Sequence, residues 1–184
     1  GVTRDRHYAE ADWRGKSFMV VDTGGLIPGS EEPLNKKVWG QAFLAIQEAD
    51  ILICVLDGVE GLNPIDQALV VELRKIKKPK FFAVNKIDAN GQEKNIYDFS
   101  RLGVEPLIAV SAEHGRGVSD LMEALYPVLP GAVTAGTPDG VRISIIGRPN
   151  VGKSTLFNHF AKEERVVVDE AAGTTRDPID IVVE

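Results

Sequence analysis

The chain is 184 residues long, 43% hydrophobic and 26% charged, with a net charge of −6. That balance supplies apolar surface for one globular domain or two small ones and excludes a disordered chain, while the negative charge argues against a general nucleic-acid binder. The single cysteine, Cys54, excludes an internal disulfide framework and a cysteine-based zinc site, and its place in the run ILICVL marks a buried, inert thiol.

In chain order, apolar and β-branched runs predict strands and 3.6-residue spacing predicts helices. Strand-like stretches Arg6–Trp13 and Lys16–Val21 come first, then a helix over Lys36–Glu48 and a strand over Asp50–Leu56. A helix over Asp66–Lys77, strands over Lys80–Val84 and Pro106–Val110, and a helix over Ser119–Leu129 follow. After the Gly- and Pro-rich stretch Pro130–Gly140 come a strand over Val141–Ile146, a helix over Gly152–Ala161 and a strand-like end, Pro178–Glu184. The alternation predicts an α/β fold, a mostly parallel sheet with helices on both faces, whose ligands bind outside the carboxyl ends of the strands. No apolar run reaches the length of a membrane span, and the polar opening GVTRDRHYAE carries no signal-peptide pattern, so a cytoplasmic location is expected.

Four segments carry chemistry. Gly147–Ser154 reads GRPNVGKS, a G-x-x-x-x-G-K-[ST] match between a strand and a helix. Its glycines let backbone N–H groups turn inward as an anion nest, Lys153 reaches the β- and γ-phosphates, and Ser154 holds Mg²⁺. The segment DTGG follows a strand: Asp22 is placed for a Mg²⁺-bound water, and Gly25 for an N–H to the γ-phosphate. In NKID, after FFAV, Asp88 is expected as a buried acceptor for the two edge donors of guanine, a pattern that adenine lacks. Ser111-Ala112, after LIAV, is placed to offer a backbone N–H to the guanine O6. Taken singly, each short segment also reads as an ordinary turn. GVTRD at Gly1–Asp5 recurs as GTTRD at Gly173–Asp177, differing only in its second residue.

Together, GRPNVGKS, T-R-D, DTGG, NKID and SAEHG resemble the five motifs of translation-factor-type (TRAFAC) GTPases. GVTRDRHYAEADW, VVDTGGLIPG and GTTRDPIDIVVE resemble the bacterial EngA/Der double GTPases, ribosome-assembly factors with two tandem G domains and a KH-like domain. The resemblance spans essentially the whole chain. It implies guanine-nucleotide binding and GTP hydrolysis, with Mg²⁺ as cofactor, K⁺ as a candidate second cation and the large ribosomal subunit as partner. The implied nucleotide set is Asn150, Val151, Gly152, Lys153, Ser154, Thr155, Asp22, Gly25, Asn85, Lys86, Asp88, Ser111, Ala112 and Glu113. The implied metal set is Ser154, Asp22 and the switch threonines Thr3 and Thr175. Lys153, Asn150, Thr3, Thr175 and Gly25 are the catalytic candidates. Asn150 reads either as the K⁺ ligand of the resembled family or as a turn residue. Leu26 stands where many GTPases carry a water-positioning glutamine, so hydrolysis is expected to be slow.

The order of these motifs differs from that of a G domain, which begins with its P-loop. Residues 1–130 resemble the body of the first G domain, 131–140 a linker, and 141–184 the start of the second. This implies an internal fragment or a circularly permuted P-loop GTPase domain, formed by one chain or by a domain-swapped dimer. About a dozen linker residues span up to roughly 40 Å, enough to cross a domain about 30 Å wide. The two T-R-D segments then compete for one edge place, where a short hairpin favours Arg6–Trp13. Two further readings stand beside this one. A P-loop ATPase or kinase is opposed by NKID and SA; a non-catalytic fragment binding GDP weakly or not at all would act only as a ribosome-contact scaffold. His7, His114 and His159 show no metal-ligand spacing, and the lysines around Pro79 read as a solvated helix end.

Overall fold

The sheet begins as a hairpin. Residues 7–23, 43–88, 96–129 and 140–161 are described in a computed structural model of the chain. Strand β1 (His7–Trp13) alternates in burial and turns back through Arg14 and Gly15 into β2 (Lys16–Asp22). Both turn residues have positive φ, 48° and 79°, the geometry of a two-residue hairpin turn that matches strand twist. The strands pair antiparallel from His7↔Asp22 to Trp13↔Lys16, so the expected hairpin is formed.

The other four strands are parallel: β3 (Ile51–Asp57), β4 (Lys80–Asn85), β5 (Leu107–Ala109) and β6 (Arg142–Ile146). Their order is β1-β2-β6-β3-β4-β5. The last strand of the sequence therefore lies between β2 and β3, in register Val20↔Ile143 on one side and Ile51↔Ile143 on the other. Every residue of β3 is buried. Its side chains divide by parity, as a two-residue period requires: Ile51, Ile53 and Val55 enter one core, Leu52, Cys54 and Leu56 the other.

Helices cover both faces. On the first core lie α3 (Val118–Leu125) and α4 (Lys153–Ala161), through Leu121, Leu125, Leu156 and Phe157. On the second lie a helical stretch, residues 43–48, with α1 (Pro64–Arg74) and α2 (Ile96–Ser100), through Ile46, Leu69, Leu73 and Phe99. The expected α/β architecture is present, with boundary shifts that have local causes. Helix α1 starts two residues earlier than its spacing predicts, because Asn63 and Asp66 form a capping box around Pro64 at the first turn. The helix expected to Leu129 ends at Leu125 and continues as a 3₁₀ turn, Tyr126–Val128, since Pro127 has no N–H for the α ladder. Helix α2 is too short to leave a periodic signal and was not anticipated. Of the helix predicted over Lys36–Glu48, only residues from 43 onward are described; the strand-like Pro178–Glu184 lies outside the described residues.

The lysines around Pro79 are not all solvated. Lys78 donates to the carbonyls of Ile46, Gln47 and Ala49, and Lys80 to those of Ile76 and Lys78. These ammonium groups close the ends of the second-face helices, where carbonyls lack intrahelical partners.

Candidate functional site

The carboxyl ends of β2, β6, β3 and β4 stand side by side, and the loop after β6 closes over them before α4 begins. Gly147 leaves β6 at φ 156°, and a Cβ there would meet the Val55 carbonyl oxygen at 2.5 Å. Gly152 has φ 93°, and a Cβ there would run into the Asn85 side-chain amide. Only glycine lets the loop lie this close to β3 and β4. Between them, exposed Asn150 has φ 62°, an uncommon conformation for a residue with a side chain, while Val151 is buried.

Under this loop two opposite charges are buried. Lys153, 7% exposed at the start of α4, donates from Nζ to the carbonyl oxygen of Arg148 at 2.9 Å. Burial pushes its pKa down, against the attraction of Asp22. Asp22, 2% exposed at the end of β2, accepts a hydrogen bond from the Ser154 hydroxyl at 2.7 Å through Oδ2. Burial pushes its pKa up, opposed by Lys153 and the Ser154 bond. Asp22 Oδ1 is buried with no hydrogen-bond partner among the described residues. An orphaned carboxylate oxygen beside a hydroxyl is a hard-oxygen set suited to Mg²⁺ or its waters. Thr23 ties this strand end to β6, its hydroxyl donating to the Ile145 carbonyl at 2.7 Å.

The end of β4 is arranged differently. Asn85 donates from Nδ2 to the Val151 carbonyl at 2.8 Å and accepts at Oδ1 from the Ala112 N–H at 2.9 Å. It thus joins the phosphate-type loop to the segment after β5. Ser111, fully buried, donates its hydroxyl to Asp88 Oδ1 at 2.6 Å. Lys86, at φ 67°, makes an ion pair with Asp57 Oδ2 at 2.7 Å. Asp57 Oδ1 also accepts the N–H groups of Val59 and Glu60, at 2.9 and 3.0 Å. Burial alone would raise the Asp57 pKa, but Lys86 and these N–H donors outweigh it and hold the carboxyl below its usual range.

Two expectations need correction. Asp88 is exposed, not buried, because it stands three residues beyond β4 at the rim of the site. The backbone N–H groups of Ser111-Ala112, one of them expected to face a base oxygen, are both taken, by the Arg116 carbonyl and by Asn85 Oδ1. Asn85 itself has both side-chain ends engaged by protein, so its geometry is that of a positioning residue. Thr155 is half-buried on α4 and Glu113 exposed after β5. Thr3, Gly25, Leu26 and Thr175 lie outside the described residues. Four residues went unremarked in the sequence: Arg148, Asp66, Glu60 and Asp57. The Arg148 guanidinium, 7% exposed, pairs with Glu60 at 2.6 Å and Asp66 at 3.3 Å. The available signals were an acid ending the otherwise apolar run ILICVLD and an arginine directly after the apolar strand RISII and Gly147.

A family model described as 50S ribosome-binding GTPase matches residues 1–86 and 142–184. A GTPase Der of Myxococcus xanthus (strain DK1622) is 47% identical over 188 residues, which cover 98% of this chain and 41% of that protein. A GTPase Der of Geotalea uraniireducens (strain Rf4) is 48% identical over 181 residues, 98% of this chain and 41% of its own length. The chain therefore spans about two-fifths of these relatives. Among solved structures, Era in complex with MgGDPNP and nucleotides 1506–1542 of 16S ribosomal RNA aligns with a TM-score of 0.65 at 21% identity, over 76% of this chain and 49% of Era. An Aquifex aeolicus Era variant bound to GDP·AlF4− aligns with a TM-score of 0.61 at 20% identity, over 74% and 49%. At these identities the two structures bear on the fold alone.

Proposed function

Starting from the premise that the chain belongs to the 50S ribosome-binding GTPase family, we propose that it binds guanine nucleotide with Mg²⁺ and hydrolyses GTP slowly, as a module of a ribosome-assembly GTPase. The observation that carries this reading is the buried group under the loop: Lys153, Ser154 and Asp22 with its unpartnered Oδ1. Residues 1–130 and 141–184 act as one G domain in permuted order, a reading supported by the pairing of β6 with both β2 and β3.

In this reading the N–H groups of 150–155 and the Lys153 ammonium hold the phosphates. Lys153 keeps its bond to the Arg148 carbonyl and turns its remaining donors to phosphate oxygens, where its charge counts most as negative charge spreads in the transition state. Ser154 and Asp22 hold Mg²⁺, which when bound neutralises charge on the phosphates. Asp88, kept in place by Ser111, accepts from the guanine edge, and Lys86 and Asn85 set the base side. Gly25 offers its N–H to the γ-phosphate, and Thr3 or Thr175 completes the metal shell. Asn150 holds K⁺, so turnover is faster in K⁺ than in Na⁺; equal rates leave it a turn residue. The large ribosomal subunit is the partner, in the cytoplasm, and the chain is a monomer or a domain-swapped dimer. Among the described residues no helix is long and apolar enough to cross a membrane.

The test is base choice. Asp88→Asn weakens GDP by about 2–3 kcal/mol, because an acceptor facing two donors becomes partly a donor, and it favours xanthosine diphosphate. Unchanged GDP affinity, by isothermal titration, ends the reading that NKID selects the base. A second reading, a non-catalytic fragment that binds GDP weakly or not at all and acts only as a ribosome-contact scaffold, is favoured by the rearranged order of the motifs; a GDP titration separates the two.

A further inference from the structure

The segment from the end of β3 to the first turn of α1, residues 57–66, touches both ends of the site. At its start Asp57 holds Lys86 of the base-side motif, as described above. At its end Asp66 and Glu60 hold Arg148 of the phosphate-side loop. Asp66 is itself fixed, since the Asn63 side chain accepts its N–H at 3.0 Å and its own carboxylate faces the Asn63 N–H at 3.4 Å.

Arg148 is held from two sides. Its guanidinium is buried among these acids, and its backbone carbonyl receives the Lys153 ammonium. The buried pair is poorly satisfied: Arg148 Nε and Nη2 and Asp66 Oδ1 make no hydrogen bond among the described residues. A buried ion pair of that quality adds little stability over an apolar contact of the same volume. What it supplies is one defined place for the residue whose carbonyl carries Lys153.

We propose that Arg148 is a positioning residue for phosphate binding, anchored by Asp66 and Glu60 so that its carbonyl fixes the Lys153 ammonium for the nucleotide. Phosphate affinity then depends on side chains of the β3–α1 segment that lie outside the phosphate loop. The inference rests on the nucleotide reading above.

A double-mutant cycle on the whole chain tests it, with GDP affinity read by isothermal titration and folding by circular dichroism. Arg148→Met weakens GDP about tenfold alone and less than about twofold when Lys153 is already alanine, because a residue acting through Lys153 has nothing left to position. A residue with only a structural role weakens GDP equally in both backgrounds, and additive effects overturn the inference while the nucleotide reading stands. If Arg148→Met does not fold, Asp66→Asn takes its place: it keeps the capping shape and removes the charge, with a loss of about threefold confined to the Lys153 background. A loss of equal size in both backgrounds again overturns the inference. Absence of GDP binding by the unaltered chain overturns the nucleotide reading and this inference with it.

Discussion

At the phosphate end of the site, Lys153 and Asp22 are both buried and both displaced toward their neutral forms, with a carboxylate oxygen left without a partner. At the base end, Asn85 has donor and acceptor both engaged, Ser111 is tied to Asp88, and Asp57 is held ionised by Lys86 and two backbone N–H groups. The first arrangement costs stability in the empty protein, and on the proposed reading phosphate and Mg²⁺ would relieve it. The second stabilises the fold whether or not a ligand is present. Substitutions at the two ends should therefore differ in kind: at the phosphate end binding falls and folding does not, while at the inner base end folding falls.

The largest effect on binding belongs to Lys153. Lys153→Ala removes a buried, charge-assisted contact to phosphate and lowers GDP and GTP affinity by about 3 kcal/mol or more. The same change removes an ammonium whose charged form burial disfavours and leaves Asp22, already shifted toward its neutral form, to take up a proton, so the thermal midpoint of the empty protein stays level or rises. A drop in the midpoint by several degrees would show Lys153 to be part of the fold's support and erase the contrast.

Asn85→Ala is the counterpart at the base end. It strips partners from the Val151 carbonyl and the Ala112 N–H, both inside the protein. Unfolding free energy, measured in urea, should fall by about 2–4 kcal/mol for two buried groups left unpaired. A loss below about 0.5 kcal/mol would mean that water replaces the amide and that this end is not preassembled.

The difference between the two ends was only half legible in the sequence. Glycines at 147 and 152 announce a loop whose backbone must turn as few residues can, and the apolar run Ile51–Leu56 announces a buried strand. Those signals are local, so they survive without a structure. Charge partners are not local. Asp66 reads as the start of a helix and Arg148 as one of four unspecified loop positions, and nothing in either stretch says that they meet. Asp88 failed for the same reason: its motif names the chemistry, but burial depends on how far past β4 the chain has travelled. Helix α2 left no trace because five residues hold barely one turn of periodicity.

The smallest effects are also the sharpest comparison, because two aspartates at the two ends should respond to pH with opposite sign. Asp57 has a pKa below the ordinary aspartate value of 3.8, so the folded state favours its ionised form. The stability it supplies is complete above that value and is lost as pH falls through the folded pKa. Asp57→Asn should cost about 1 kcal/mol at neutral pH, where the pair with half-exposed Lys86 is discounted for solvent, and the difference should shrink only below pH 3.8. Asp22 has a pKa above 3.8, so its folded state favours the protonated form. Its burial is tolerated at low pH, and stability is lost as pH rises from the unfolded value through the folded one. Asp22→Asn should raise the stability of the nucleotide-free, Mg²⁺-free protein by on the order of 1 kcal/mol at neutral pH, with the gain fading toward pH 3.8. Urea unfolding of both variants across the acid range reads the two signs directly. If both aspartates stabilise the protein at neutral pH, the carboxylate at the end of β2 has an internal partner, and the contrast between a ligand-dependent end and a self-sufficient one is lost.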